Sequence, residues 1–274
     1  MIFSIIIPHC NTPNLLDRCL SSIPKRTDIE VIVIEDERRR GAGYARNIGL
    51  TKAKGKWLIF ADADDFFLNP AFENALEQYA DSDADMICFA NTVADSNDVS
   101  KEIEHPQFDM YSKIAKVAHH CGLDACDIIR YDCGVVWCRF IKRELVERIN
   151  ARFQETICRN DTFFAVQIGC NAGKIILDNT EIYCYTQRQN SILSAFETKK
   201  GQKIRYFVSK SVMKYLRKQG KGFHSFNGDL VFHYNLLQRQ NKLLYIKELI
   251  PVLLLAVTKK AVAKEFFKYF FTKK

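Results

Sequence analysis

Two hydrophobic periods alternate along the N-terminal part of the chain. "FSIIIP" and "IEVIVIED" are short β-branched runs of strand length, and between them "NLLDRCLSSI" spaces Leu15, Leu16, Cys19, Leu20 and Ile23 as one face of a helix. A second helix, "GYARNIGLTKA", leads into the strand "KWLIFAD", and a third, "PAFENALEQYA", leads into "DADMICFAN". Strands that are apolar throughout are buried on both faces. The pattern therefore predicts an α/β fold: a Rossmann-like, mostly parallel sheet with helices on both faces.

With 274 residues, the chain has room for one substantial core and an appendage, and 47% hydrophobic with 26% charged residues is the composition of a globular protein. The start, "MIFSIIIPHCN", has neither a basic leader nor a small-residue cleavage site. Ten scattered cysteines are then expected as reduced thiols in a cytoplasmic protein. Cys121, Cys126, Cys133 and Cys138, with His119 and His120 ahead of them, are spaced too widely for paired zinc ligands and are read as core packing. A net charge of +8 favours acidic partners such as nucleic acid, sugar-nucleotide phosphates or an anionic membrane. Its excess lies after residue 199, whereas the acidic clusters lie early, which suggests separate tasks for the two parts.

In an open α/β sheet the ligand sits beyond the carboxyl ends of the strands, and "PHCN", "EDE" and "DADD" fall there. No glycine-rich phosphate cradle follows the first strand. A phosphate at this edge needs another counter-charge, and a hard divalent cation held by the carboxylates of "DADD" would supply it. Further along, "VVWCRFIKRELVERI" reads as a strand running into a helix. "RNDTFFAVQIGCNAGKI" reads as a loop and a helix beginning at Asp161, a good N-cap residue, and "TEIYCYTQRQNSILS" as a strand and a polar loop. A helical, basic pattern from about residue 197 divides the chain into residues 1–196 and 197–274.

The ordered series "SIIIPHCN", "CLSSI", "EVIVIED", "ARNIGL", "AKGKWLIFADADD", "WCRFIKREL", "NDTFF" and "RQNSI" resembles the family 2 glycosyltransferases with the GT-A fold. The resemblance implies transfer of a sugar from a nucleotide-sugar donor, UDP-linked by preference, to a hydroxyl of a glycan or glycolipid, with inversion at the anomeric carbon. It implies that Asp36 contacts the nucleobase, with Pro8, His9 and Cys10 lining the same pocket. Asp62 and Asp64 match a DxD motif, the first near the ribose and the second on Mn²⁺ or Mg²⁺. Asp161 matches the catalytic base, and Arg188 a loop residue that closes over the diphosphate. Nucleic acid is not among the implied partners.

Two departures from the family pattern stand out. The connection "ERRRGAG" before the second helix is short, and Asn160 occupies a position where the family often has Glu. Several residues also have plainer readings. Asp62, Asp64 and Asp65 can form a solvated turn, Asp36 can be a turn residue and Asp161 a simple helix cap. Arg38 to Arg40 are read as a solvated loop, Trp137 as core rather than a sugar platform, and Arg46 as a support for the loop. An inactive scaffold subunit is the alternative function, and a sugar-nucleotide nucleotidyltransferase is disfavoured by "PHCNTP". In the last segment Lys259, Lys260, Lys264 and Lys268 interleave with Phe266, Phe267, Tyr269, Phe270 and Phe271. That pattern suits a helix lying on an anionic membrane, or one packed on the main domain.

Overall fold

A computed structural model of the chain describes residues 1–101, 103, 125–131, 133–187 and 198–221. Seven strands form one sheet: β1 (Phe3–His9), β2 (Ile29–Glu35), β3 (Trp57–Phe60), β4 (Phe66–Phe67), β5 (Met86–Asp95), β6 (Arg139–Lys142) and β7 (Ile175–Gln187), in the order β2-β1-β3-β6-β5-β7-β4. β1 pairs in parallel with β2 and β3, and β5 in parallel with β7, whereas β6 runs antiparallel to both β3 and β5 and β4 antiparallel to β7. The expected α/β sheet is present, and five of its seven strands share a direction. The reversed β6 enters beside β3 and leads directly into a helix, as "WCRFIKREL" predicted.

The helices are α1 (Pro13–Ser21), α2 (Ala42–Lys52), α3 (Ala71–Tyr79), α4 (Ala125–Tyr131), α5 (Arg143–Arg148), α6 (Thr162–Asn171) and α7 (Lys199–Lys218). Adjacent side chains of the buried strands serve opposite faces. Phe3, Ile5 and Ile7 of β1 and Trp57 and Ile59 of β3 pack with Cys19 of α1 and Phe72 and Leu76 of α3. Ile6, Leu58 and Phe60 point the other way, into a second core with Ile128 of α4, Leu145 of α5 and Phe164 of α6. Continuous apolar strands are thus explained by cover on both faces. β2, at the sheet edge, is the less buried strand, with Val31 41% exposed.

α7 starts at Thr198, whose side chain accepts a hydrogen bond from the Gly201 amide at 3.0 Å. One face of it rests on α6 and the end of α4 through Val212 and Leu216, which cluster with Val166 and Tyr131. Residues His119, His120, Cys121 and Arg188, and the lysines and aromatics from Lys259 to Phe271, lie outside the described residues.

Candidate functional site

Because β2, β1 and β3 are neighbours and parallel, their carboxyl ends bring three loops to one edge of the sheet. The β1 loop is fixed by His9, which is buried. Its Nε2 accepts the Thr12 amide at 3.0 Å, so the ring proton lies on Nδ1 and is donated to Glu35 at the end of β2. Pro8 is buried within β1, and Cys10 is exposed at the loop.

Asp36 is also buried, and its two carboxylate oxygens accept the amides of Arg40 at 3.0 Å and Gly41 at 2.6 Å. The short "ERRRGAG" connection is thereby folded back onto the acid that precedes it. Arg38, Arg39 and Arg40 are exposed, and Arg40 pairs with Glu155 at 2.9 Å while lying over the Tyr44 ring. Glycine is required where this loop enters α2. A Cβ on Gly43 would come within 2.1 Å of the Gln154 carbonyl oxygen, and Gly41 has φ of 104°. The start of α2 is thus pressed against residues 154–160.

The three acids after β3 have three separate environments. Asp65 is fully inside the protein, where its Oδ2 accepts the Tyr183 hydroxyl at 2.8 Å and its Oδ1 accepts the Thr186 amide at 2.7 Å. The Tyr183 hydroxyl in turn accepts the Asp62 amide at 3.0 Å. Burial, followed by the charges of Asp64 and Asp62, pushes the pKa of Asp65 well above the usual carboxylate range. Asp62 pairs with Arg46. Asp64 is half-buried, and its backbone carbonyl accepts both Arg18 Nη2 and the Thr186 hydroxyl at 2.5 Å. Arg18 also reaches the Ser96 carbonyl at 3.1 Å, tying the turn to the end of β5.

Tyr183 therefore holds the turn at two points. Tyr183→Phe leaves the Asp62 amide and an Asp65 oxygen without their partner, and is expected to lower stability by about 1–3 kcal/mol in a urea titration. An unchanged midpoint would show that other contacts fix the turn. Trp137 stacks on Tyr183 with ring centroids 5.7 Å apart and is 4% exposed, so it belongs to the core behind the turn.

Arg46, on α2, connects this edge to the start of α6. Its guanidinium is buried over the Phe153 ring, with Nη2 donating to Asp62 and Nη1 to Asn160 Oδ1 at 2.6 Å. Asp161 stands at the N-cap position of α6, but its carboxylate makes no capping hydrogen bond. Burial of that carboxyl raises its pKa, the Arg46 charge opposes the rise and the Asp62 charge adds to it. The structure thus brings Asp161 into the electrostatic reach of Asp62. Sequence reasoning gave Arg46 only a supporting role. The available signal was a charged residue three positions from both Gly43 and Gly49, on the helix face that must pack.

Among the described residues, no three His, Cys, Asp or Glu side chains converge into a closed metal cage. Mg²⁺ and Mn²⁺ sites that serve phosphates need less, commonly one or two carboxylates with the remaining positions taken by phosphate oxygens and water. Asp64, half-buried beside Asp62, is a carboxylate of the type such a site uses. Burial first, and then the neighbouring carboxylate charges, raise both Asp65 and the thiol of Cys19, the latter to about 12. The donor set fits a hard divalent cation.

Residues 25–149 match the Glycosyl transferase family 2 model. The uncharacterized glycosyltransferase EpsJ of Bacillus subtilis is 24% identical over 218 residues, covering 70% of this chain and 62% of that protein. In fold the chain is similar to TarS 1–349 of S. aureus in complex with UDP-GlcNAc, with a TM-score of 0.58 at 18% identity, over 77% of this chain and 66% of that one. It is also similar to the mannosyltransferase PcManGT of Pyrobaculum calidifontis in complex with GDP-Man and Mn²⁺, with a TM-score of 0.52 at 14% identity, over 99% and 88% of the two chains. The chain thus spans less than two thirds of EpsJ and of TarS 1–349. The likeness to these structures shows the GT-A fold, and residues 25–149 are similar to the family 2 glycosyltransferases.

Proposed function

We propose that the protein transfers a sugar from a nucleotide-sugar donor to a hydroxyl of a glycan or glycolipid, in the cytoplasm, with inversion of the anomeric carbon in the making of a surface polysaccharide or lipopolysaccharide. The observation that carries this reading is the Arg46 bridge, which joins Asp62, after β3, to Asn160, the residue beside Asp161. Displacement at a sugar carbon needs a base on the incoming oxygen and counter-charge on the departing diphosphate, and the two carboxylate groups are suited to those separate tasks.

Asp161 takes the proton of the acceptor hydroxyl, the freed oxygen bonds to the anomeric carbon, and the bond to the nucleoside diphosphate breaks with its electrons going to the leaving group. Freedom from capping leaves the Asp161 carboxylate available, and the Arg46 charge opposes the rise in pKa that burial imposes on it. Asp62 and Asp64 face the donor, Asp64 as the cation ligand. When bound there, Mn²⁺ or Mg²⁺ supplies positive charge to the diphosphate. His9 and Asp36 shape the base pocket with Pro8 and Cys10. Asp36 does so chiefly by holding the Arg40–Gly41 backbone, and the second acceptor position on each carboxylate oxygen is the one a nucleobase would use. Arg188, outside the described residues, is assigned to the diphosphate by the family resemblance alone. The UDP-GlcNAc complex of TarS supports a UDP-sugar donor, and the Mn²⁺ of the mannosyltransferase supports the cation.

A panel of UDP- and GDP-sugars, incubated with the full chain with and without Mn²⁺ and assayed for nucleoside diphosphate release, tests the proposal. Release from at least one donor, dependent on the cation, is the expected result. No release from any donor, under conditions where the same donors bind, would favour the inactive scaffold.

A further inference from the structure

The connection from β2 to α2 is a fixed loop that carries two unused guanidinium groups. Its backbone folds around Asp36, whose carbonyl accepts the Arg39 amide at 3.0 Å while its carboxylate accepts the amides of Arg40 and Gly41. Arg40 is committed to Glu155 and to the Tyr44 ring, which ties the loop to the segment leading to Asp161. Arg38 and Arg39 are exposed, and among the described residues neither side chain has a hydrogen-bond or ion-pair partner. Glu37 is the single acid between Asp36 and Gly41. Arg39 is held at φ of 52°, in the left-handed region that a residue with a Cβ adopts only at a cost. Both arginines are thereby kept at the carboxyl edge of the sheet, between Asp36 and residues 154–160.

We propose that Arg38 and Arg39 bind a phosphate group carried by the acceptor. The inference rests on the transfer reaction proposed above and names a class of acceptor for it. The donor has no charge left to place at this loop, since its diphosphate belongs to the Asp64 turn and its base, at Asp36, is neutral. A second anion here therefore arrives with the other substrate, and the loop is tied to the segment that carries Asp161, to which the acceptor hydroxyl is drawn. Phosphate suits the pair better than carboxylate. A guanidinium forks onto two oxygens, so one arginine fills a carboxylate, whereas a phosphate has oxygens enough for both arginines at once. Two adjacent positive charges also repel each other in the free protein, and a ligand with more than one negative charge relieves that repulsion most.

Binding to the full chain is read by calorimetry in chelator, so that no cation recruits phosphate to the carboxylates after β3. Octyl diphosphate stands for a lipid-linked acceptor, a glycerol phosphate trimer for a polymeric one, and octyl glucoside is the neutral control. Salt-sensitive binding of at least one phosphate probe is expected, with none of the glucoside, and the tighter of the two probes identifies the source. Arg38→Gln/Arg39→Gln should weaken that binding about ten-fold, and Arg38→Lys/Arg39→Lys should recover only part of it, because an ammonium lacks the fork. Melting temperature and nucleoside-diphosphate affinity in Mn²⁺ should stay those of the wild type. Absence of salt-sensitive phosphate binding, or equal binding by the wild type and the Gln variant, would overturn the proposal. So would an equal loss of nucleoside-diphosphate affinity, which would give the arginines to the donor. Loss of sedimentation with phosphatidylglycerol vesicles in the Gln variant, with soluble phosphate bound as before, would overturn it in favour of a membrane contact. No turnover is read, so failure of the transfer reading shows separately, as absence of nucleotide release from the donor panel.

Discussion

Asp161→Asn should leave a protein that binds its donor normally and scarcely turns over. The substitution keeps the shape of the side chain and removes its basicity, so kcat is expected to fall by ~10²–10⁴ while donor affinity stays near that of the wild type. The same variant should be the more stable protein at neutral pH. The folded-state pKa of Asp161 is raised from 3.8 by burial, so the fold favours the protonated form. Stability from this group is fully present below its unfolded pKa and is lost as pH rises through the folded one; Asn, neutral at every pH, avoids that loss. Activity has the opposite trend, because only the ionised form accepts a proton. The acid limb of the rate profile should lie above 3.8 and rise with pH. Turnover within a few-fold of wild type would remove Asp161 from the role, and a variant less stable at neutral pH would show that burial does not disfavour its charged form.

Asp64→Ala should act on the other half of the reaction. Loss of a carboxylate ligand deprives a cation-bridged diphosphate of counter-charge, and nucleoside-diphosphate affinity in Mn²⁺ is expected to fall by ~10²–10³. In chelator the variant and the wild type should bind alike, which separates loss of the cation from collapse of the pocket. Titration calorimetry with UDP and GDP, each with Mn²⁺ and with chelator, reads both arms. Affinity that depends on Mn²⁺ to the same degree in variant and wild type would end the assignment. The backbone of Asp64 is held by Arg18 and Thr186 through its carbonyl, so truncating the side chain leaves those supports in place.

The elements that sequence reveals here are those whose burial follows from their own residues. β1 and β3 are apolar on both faces and could only be central strands, and α1 and α3 each carry one apolar stripe. The direction of β6 is a different matter. Phe140 and Ile141 mark a short buried strand between two basic residues, and whether it runs with or against β3 depends on partners distant in sequence. The same limit applies at the site. "DADD" shows where negative charge gathers, but the division of labour within it depends on Tyr183 and Thr186, well over a hundred residues away. Asp161 was legible as the residue before a helix. That its carboxylate does not cap that helix is a matter of backbone angles that no composition encodes. Asn160 looked like a loss of support for the base. In place it is an acceptor for Arg46, so a neutral amide makes the contact with the guanidinium, and the charge pairing of Arg46 goes to Asp62.

The enclosure of Asp65 narrows what can be altered in this turn. Its carboxyl answers to the sheet, through Tyr183 and Thr186, and not to any ligand. A library aimed at a new donor preference therefore has two adjustable acids after β3, Asp62 and Asp64, and the first of these is tethered to Arg46. Diversity spent on Asp65 would be sorted by whether the chain folds, leaving selection on the sugar nothing to act on.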